Sequence, residues 1–272
     1  MCDLDGCSSQ LSQKPLPIVS GMDRRQFNLG LASLPLATVL AYPELAQAAG
    51  ARTKDFSIST PSGVEVMGSL ATPKAGKGPA VLLIHEWWGL NDQIRSVANE
   101  LSEMGYLALA IDLYDGQYGS TREEAMALRK AMDPAQATEK LVTAINWLRS
   151  NGSGKVATMG WCFGGGWSLN ASLATPVDAT VIYYGNVKKT AQELSSLSSP
   201  VLGHFGTLDQ SINEEMVSGF ESAMKEAGKT NFTTHWYEAD HAFANPTGSR
   251  YDEKDAALAW TRTTSFLKQY IG

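Results

Sequence analysis

Short apolar runs alternate with amphipathic stretches along most of the chain. Residues 80–84 read Ala-Val-Leu-Leu-Ile, without a polar side chain. A continuous apolar run of this length is typical of a strand that is buried on both faces of a parallel sheet. Comparable strands are predicted at residues 106–111, 155–159, 180–184, 201–205 and 232–237, and a strand pair before them at residues 56–59 and 63–70.

Helical periodicity fills the segments between these strands. Asn91 or Asp92 can cap a helix whose apolar positions recur three and four residues apart, and Gly105 is a natural stop for it. Further helices are predicted over residues 121–132, 134–149, 164–174, 213–227 and 252–270. Alternating strands and helices predict an α/β fold, a doubly wound and mostly parallel sheet with helices on both faces. No linker interrupts this pattern, so we expect one domain over residues 49–272.

The first 48 residues differ from the rest and predict an export signal. Arg24 and Arg25 precede a run of apolar and small residues at 29–41, and a small-x-small site ends at Ala48. The arginine pair resembles a twin-arginine signal, which implies the twin-arginine export machinery as a partner and a periplasmic mature protein. A chance arginine pair before an N-terminal helix is the alternative. A stable membrane span is disfavoured, because a span needs about 20 apolar residues and this run contains Pro35.

Composition and charge narrow the function classes. The chain has 272 residues, 43% of them hydrophobic and 18% charged, as in an ordinary enzyme domain. Its net charge of −6 argues against nucleic acid as a partner, since phosphate binding needs a basic face. Cys2 and Cys7 would leave with the signal and are too few for a metal site. Cys162 then remains as a lone thiol, which cannot form an internal disulfide.

Cys162 lies in a motif that favours a nucleophile. The segment Gly160-Trp161-Cys162-Phe163-Gly164 follows a predicted strand and opens a predicted helix. Glycines two residues before and after the nucleophile allow the sharp strand-to-helix turn of a nucleophile elbow. The helix N-terminus favours a thiolate and offers backbone N–H groups to an oxyanion. The alternative is a glycine-rich packing turn with an inert thiol.

A thiol nucleophile needs a base, and the base needs an acceptor that orients it. Asp209 and His241 each follow a predicted strand, in the chain order nucleophile, acid, histidine that this fold uses. His85 precedes the nucleophile and is predicted to be structural. Asp240 is the rival acid, although its position next to the histidine makes the far ring nitrogen hard to reach. His204 and His235 fall inside predicted strands and are expected to be packing residues.

The backbone N–H groups of two residues are expected to form the oxyanion hole. One belongs to Phe163, directly after the nucleophile, and the other to Trp87, in the loop after an earlier strand.

Taken together, these segments resemble the dienelactone hydrolase (carboxymethylenebutenolidase) family of α/β-hydrolases. The likeness rests on residues 81–90, residues 112–114, the Cys162 elbow, the Asp209 loop and residues 236–244, and it extends over nearly all of residues 55–270. It implies that Cys162, Asp209 and His241 form a catalytic triad. It also implies that Glu86, near the sulfur, helps to generate the thiolate. The alternative is that the Glu86 carboxylate only anchors its loop.

The resemblance also implies a set of substrate contacts. Trp87, Trp88, Tyr114 and Phe243 would form an aromatic wall, with plain core packing as the alternative. In family members acting on dienelactone, two arginines hold the substrate carboxylate. Arg122 matches one of them, while the other position carries Asn245, with Arg250 nearby but out of register. This departure leaves the identity of the substrate open.

The expected activity is therefore hydrolysis of a small-molecule lactone or ester through a thioester intermediate, without a metal or organic cofactor. The first alternative is a general carboxylesterase or thioesterase with another substrate. A non-catalytic periplasmic binding protein that uses the same cleft is a further alternative. A redox-active thiol protein is disfavoured, because no resolving cysteine would survive removal of the signal.

Overall fold

An eight-stranded sheet organises residues 52–272, the part of the chain that the computed structural model describes. The predicted signal at residues 1–48 lies outside the described residues. The strands are β1 (Lys54–Ser59), β2 (Glu65–Ala71), β3 (Ala80–Ile84), β4 (Leu107–Asp112), β5 (Val156–Trp161), β6 (Ala179–Tyr183), β7 (Val201–Gly206) and β8 (Phe232–Tyr237).

The strand order is β1-β2-β4-β3-β5-β6-β7-β8. Strands β3 to β8 pair with one another in parallel, while β2 pairs antiparallel with both β1 and β4. In the centre of the sheet, Ile84 at the end of β3 is in register with Ile111 on one side and Gly160 on the other. The loops that leave these strands therefore emerge at one edge, where ligands bind in open parallel sheets.

Helices cover both faces of the sheet. They are α1 (Asp92–Glu103), α2 (Arg122–Ala131), α3 (Pro134–Asn151), α4 (Phe163–Ala174), α5 (Ala191–Leu194), α6 (Glu214–Glu226) and α7 (Glu253–Tyr270). The side chains of β3 alternate between the two layers. Val81 and Leu83 pack with α1 and α7, whereas Leu82 and Ile84 pack on the opposite face with α3 and α4. Both faces are apolar, which explains why β3 reads as a continuous hydrophobic run.

The predicted mostly parallel sheet with helices on both faces is confirmed, and most element boundaries agree within two residues. The four-residue helix α5 was not predicted. Its only local signal is a capping box, in which Thr190 and Glu193 bond to each other's backbone N–H groups. None of the helices in residues 52–272 combines the length and hydrophobicity needed to cross a membrane.

Candidate active site

Cys162 lies at the turn between β5 and α4, and its backbone is strained. Its φ of +53° and ψ of −115° place it outside the regions that L-residues favour. The turn is held by the Cys162 N–H, which donates to the carbonyl of Tyr183 at 3.0 Å, and by the Gly165 N–H, which donates to the Cys162 carbonyl at 3.1 Å. Strain of this kind persists only where the surroundings over-determine it, and it concentrates at functional sites.

The glycines on either side of Cys162 are required by close backbone approach. A Cβ on Gly160 would lie 2.0 Å from the carbonyl oxygen of Gly164, and a Cβ on Gly164 would lie 2.1 Å from that of Ile84. Neither contact is tolerable, because each partner is backbone and cannot move aside as a flexible side chain could. The two glycines thus allow α4 to start directly against β3 and β5.

The structure brings His241 and Asp209 together with Cys162. His241 Nε2 lies 3.1 Å from the Cys162 Sγ, and His241 Nδ1 lies 2.6 Å from Asp209 Oδ2. The histidine and the aspartate are buried, while the cysteine is half-buried and faces a cavity. The histidine can therefore take a proton from the thiol on one side while the carboxylate fixes its ring on the other.

Two opposing effects set the charge of Asp209. Burial raises its pKa, but the hydrogen bonds and charge of His241 and the N–H groups of Ile212 and Ser211 outweigh burial. Those two N–H groups donate to Oδ1 at 2.9 and 2.8 Å. The net pKa lies below its usual value, so Asp209 is ionised and able to stabilise an imidazolium.

The rival acid and histidines are engaged elsewhere. Asp240 accepts hydrogen bonds from the His241 backbone N–H and from Arg250, not from the imidazole. His85 is fully buried, and its Nε2 accepts from the Leu113 N–H at 3.1 Å. Burial lowers the pKa of His85, more than the Glu86 carbonyl and Asp112 raise it, so the ring is neutral. The structural role predicted for His85 fits these contacts.

His204 is also fully buried, in a polar network between β7, β8 and α7. Its ring nitrogens lie 2.7 Å from the Tyr237 hydroxyl and 2.9 Å from the Thr263 hydroxyl. Its role is therefore to join these elements, as its position inside a strand indicates.

Glu86 is buried beside the candidate triad. The amide of Asn245 donates to Glu86 Oε2 at 2.6 Å, and the Tyr184 hydroxyl donates to Oε1 at 3.3 Å. Burial, together with the nearby charges of Glu86 and Cys162, raises the pKa of Tyr184 well above its usual value. Tyr184 therefore stays protonated and can donate. It directly follows β6, so its strand-end position was a signal that the sequence reasoning left unused.

A cavity of about 430 Å³ opens beside Cys162 and His241. Trp87 lines it, and the ring of Trp87 packs against that of Trp88 at 4.9 Å, with the ring planes tilted by 58°, and lies 6.0 Å from the Arg122 guanidinium. In the described part of the chain, the cavity wall does not include the five residues predicted as substrate contacts: Arg122, Trp88, Tyr114, Phe243 and Asn245. Their role in substrate binding remains a prediction.

Two of those aromatic residues pack in the core. Phe243 is fully buried between Tyr237 and Tyr184, with ring centroids 4.8 and 5.5 Å away. Tyr114 packs on His85 and Phe163 at 4.9 and 5.7 Å, and burial raises its pKa far above the usual value. Core packing, the alternative that the sequence left open, describes their positions.

Sequence reasoning missed several polar residues of the cavity wall. Arg129, Asn186, Lys188, Lys189 and Ser211 all line it. They come from α2 and from the segments after β6 and β7, and none stands in a recognisable motif. The sequence alone does not show that the charged residues among them face this cavity, because that depends on the assembled fold.

The start of α4 supplies the electrostatics of an oxyanion site. Phe163 is the first residue of this helix, so its backbone N–H has no acceptor within the helix. The partial positive charge of the helix N-terminus lies at Cys162 and stabilises a thiolate or an oxyanion there. In residues 52–272, no three His, Cys, Asp or Glu side chains are grouped so that they could hold a metal ion.

Comparison with known proteins agrees with this geometry. The sequence model of the dienelactone hydrolase family matches residues 66–271. The chain belongs to the dienelactone hydrolase family. It is thus a hydrolase of the ester and lactone class with the α/β-hydrolase fold.

Named relatives of this chain agree with its assignment to this family. The chain is 29% identical over 232 residues to a carboxymethylenebutenolidase of Pseudomonas putida, covering 79% of this chain and 96% of the relative. It is 28% identical over 222 residues to carboxymethylenebutenolidase 1 of Cupriavidus pinatubonensis, covering 77% and 94%. Among solved structures, a provisionally named dienelactone hydrolase from Klebsiella pneumoniae superposes with a TM-score of 0.72 at 28% identity, covering 80% of this chain and 99% of that one.

Proposed function

We propose that this protein hydrolyses a lactone or carboxylic ester through a Cys162–His241–Asp209 triad and a thioester acyl-enzyme. The observation that carries the proposal is the 3.1 Å contact between His241 Nε2 and Cys162 Sγ, at a strained elbow on a helix N-terminus. A thiol in hydrogen-bond reach of an oriented imidazole is the arrangement of an activated nucleophile.

The first half-reaction forms the acyl-enzyme. His241 takes the proton from Cys162, and the thiolate attacks the substrate carbonyl carbon. The backbone N–H groups of Phe163 and Trp87 hold the oxyanion, as donors aimed at developing charge do in acyl transfer. The tetrahedral intermediate then collapses with loss of an alkoxide or enolate, which takes up the proton from His241.

The second half-reaction releases the acid. His241 accepts a proton from water, the resulting hydroxide attacks the thioester carbonyl, and the Cys162 thiolate leaves and is reprotonated. Asp209 stays ionised throughout and stabilises the imidazolium. We assign to Glu86 an auxiliary role in forming the thiolate, because its buried carboxylate accepts from Tyr184, whose ring packs against His241 at 5.2 Å. These steps use only the side chains of this chain and water.

Replacement of the nucleophile tests the proposal. Cys162→Ala is expected to abolish turnover while leaving the far-ultraviolet circular dichroism and the Tm unchanged, because the side chain faces the cavity. Cys162→Ser is expected to be far poorer than the wild type, since a serine hydroxyl needs stronger activation than a thiol. Hydrolysis by the Ala variant within tenfold of the wild type contradicts the covalent mechanism.

A second candidate is a general carboxylesterase or thioesterase. It is favoured by Asn245, which stands where a second substrate-binding arginine would be and is bonded to Glu86 instead. A panel of neutral esters, thioesters and anionic lactones separates the two candidates. A preference for anionic lactones supports the dienelactone-like activity, and a preference for neutral esters or thioesters supports the alternative. A non-catalytic binding protein would bind such ligands without any turnover.

We also propose that the protein is exported to the periplasm through the twin-arginine route. The proposal rests on Arg24, Arg25 and the following small-residue segment alone. Replacing both arginines with lysine is expected to retain the precursor in the cytoplasm. Unchanged periplasmic recovery of that double variant contradicts the proposal.

A further inference from the structure

The charged side chains that line the cavity are of one sign. Arg129, Lys188 and Lys189 lie in its wall together with Cys162 and His241, and the wall contains no aspartate or glutamate among the described residues. This contrasts with the whole chain, which has 28 acidic and 22 basic residues. A cavity lined by one sign of charge concentrates ligands of the opposite sign.

Two of these three cations have no carboxylate partner. In residues 52–272, no carboxylate forms an ion pair with Arg129 or Lys188. Lys189 pairs with Glu193 at 3.3 Å, one turn further along the chain. Glu193 is also bound by the backbone N–H and hydroxyl of Thr190, so this contact ties Lys189 to a fixed helix start.

Lys188 and Lys189 line the part of the cavity that adjoins a second cavity. A second cavity of about 400 Å³ shares Lys188, Lys189, Ser211 and Met216 with the first and extends along the start of α6, where Glu215 also lines it. Asn186 fixes the loop that carries the lysines, because its Oδ1 accepts from the Lys188 N–H at 3.0 Å. The two lysines therefore lie where the two cavities join, whereas Arg129 lines only the first cavity.

We propose that these three cations make the cavity wall an anion-binding surface, which recognises a carboxylate remote from the reacting carbonyl of an elongated ester whose carbonyl lies at Cys162. The inference rests on the proposed esterase function and names the substrate class for that site. It places anion recognition on the loop after β6 and the end of α2. It does not use Asn245, whose amide is already bonded to Glu86.

The test compares two esters of the same length that differ in one charge. They are the mono-p-nitrophenyl ester of suberic acid, which is anionic, and its methyl diester, which is neutral. The wild type is expected to favour the anion in kcat/KM, and the preference should shrink as sodium chloride is raised from about 0.05 to 0.5 M, because salt screens exposed charges. The neutral diester should show no such salt dependence.

Substitutions of the cations in the cavity wall test which residues recognise the anion. In the double variant Arg129→Gln, Lys188→Gln, the anion-to-neutral ratio of kcat/KM is expected to fall about tenfold, and turnover of the neutral diester should stay within about twofold of the wild type. The double variant Lys130→Gln, Lys225→Gln is the matched control, since it also removes two charges, from exposed positions that do not line the cavity. Its ratio should equal that of the wild type.

The outcomes separate the inference from the function on which it rests. An unchanged ratio in the double variant Arg129→Gln, Lys188→Gln, with normal turnover of the neutral diester, overturns the anion-binding surface and leaves the esterase function standing. A ratio that falls only in Arg122→Ala overturns it too, and assigns recognition to Arg122. Absence of turnover of both esters by the wild type, which Cys162→Ala would share, overturns the function and the anion-binding surface together.

Discussion

The amide of Asn245 donates a 2.6 Å hydrogen bond to Oε2 of Glu86, and both residues are buried. The orientation of the amide is set by Thr247, whose backbone N–H and hydroxyl both donate to Asn245 Oδ1, at 3.0 and 2.7 Å. With its oxygen occupied in this way, Asn245 can only present its NH₂ group to Glu86. The pair therefore supplies Glu86 with a neutral hydrogen-bond donor instead of the full positive charge of an arginine.

This pair predicts a pH effect. Asn245→Asp would place a second carboxylate against Glu86, and two adjacent carboxylates share one proton because both cannot ionise readily. The acidic limb of the kcat/KM profile is expected to move up by about one pH unit or more. Asn245→Ala, which removes one donor from Glu86, should move it less. Asn151→Asp makes the same chemical change at an exposed position and should leave the profile unchanged. An unshifted limb in Asn245→Asp means that Glu86 takes no part in forming the thiolate.

The orientation of His241 predicts a loss of activity in Asp209→Asn. The amide cannot stabilise an imidazolium as the carboxylate does, so kcat/KM is expected to fall about a hundredfold or more with little change in KM. Asp240→Asn is the control, because Asp240 contacts the backbone of His241 and not its ring. It should stay within about threefold of the wild type. If the two variants have equal activity, Asp209 is not the orienting acid.

Because Gly164 lies against the backbone of β3, we expect that the nucleophile elbow does not tolerate an added methyl group. Gly164→Ala would place a Cβ 2.1 Å from the Ile84 carbonyl oxygen, so α4 or β3 must move. We expect a fall in Tm of at least about 5 °C, which corresponds to a loss of more than about 1.5 kcal/mol in a domain of this size, together with a loss of activity.

Gly219→Ala provides the matched control within a helix. Nothing lies within 4 Å of its added Cβ, and Gly219 is in the middle of α6. This variant should gain about 0.5–1 kcal/mol of stability, because alanine is the better helix former. A Gly164→Ala variant as stable and active as the wild type would show that the backbone can relax at the elbow.

Glu100 predicts a pH dependence of stability away from the active site. Burial raises its pKa to about 7, although the hydrogen bond from Trp260 Nε1 opposes the effect. The folded protein then keeps a proton that the unfolded chain has released, so the contribution of Glu100 to the free energy of unfolding falls as the pH rises from about 5 to about 7. Glu100→Gln keeps the acceptor and cannot titrate.

Urea unfolding at pH 5 and at pH 7.5 checks this prediction. The buried His85 and His204, whose pKa values are lowered, make stability rise over this range in both the wild type and Glu100→Gln, so the effect of Glu100 is the difference between them. The stability of Glu100→Gln relative to the wild type should be greater at pH 7.5 than at pH 5. Glu226→Gln is the control, since Glu226 is exposed on α6 and should behave as the wild type does. Parallel curves for all three proteins would show that Glu100 titrates alike in the folded and unfolded states.

The sequence was most informative where a residue's role depends on its place along its own strand. Ala80–Ile84 was predicted to the residue, because burial on both faces leaves no polar position in it. Cys162, Asp209 and His241 could be brought together from sequence because each follows a parallel strand, and such strands end at one edge of the sheet. Local pattern and topology were sufficient there.

The sequence was less informative where a role depends on distant partners. Asn245 and Glu86 are 159 residues apart, and the hydrogen bond between them depends on how Thr247 turns the amide. Lys188 lies in an irregular loop, and only the assembled fold shows that it faces the cavity of Cys162. Pattern analysis therefore located the three residues of the candidate triad but not the other side chains that line the cavity.

The most direct test of the covalent mechanism is the mass of the enzyme during turnover. During hydrolysis of a p-nitrophenyl ester, rapid acid quenching and intact-mass measurement should detect a species heavier by the acyl group, with the adduct on the peptide that contains Cys162. Its rate of decay should be no slower than the steady-state turnover, and Cys162→Ala should form none. An adduct on another residue, or turnover by Cys162→Ala at the wild-type rate, contradicts the assignment of Cys162 as the nucleophile.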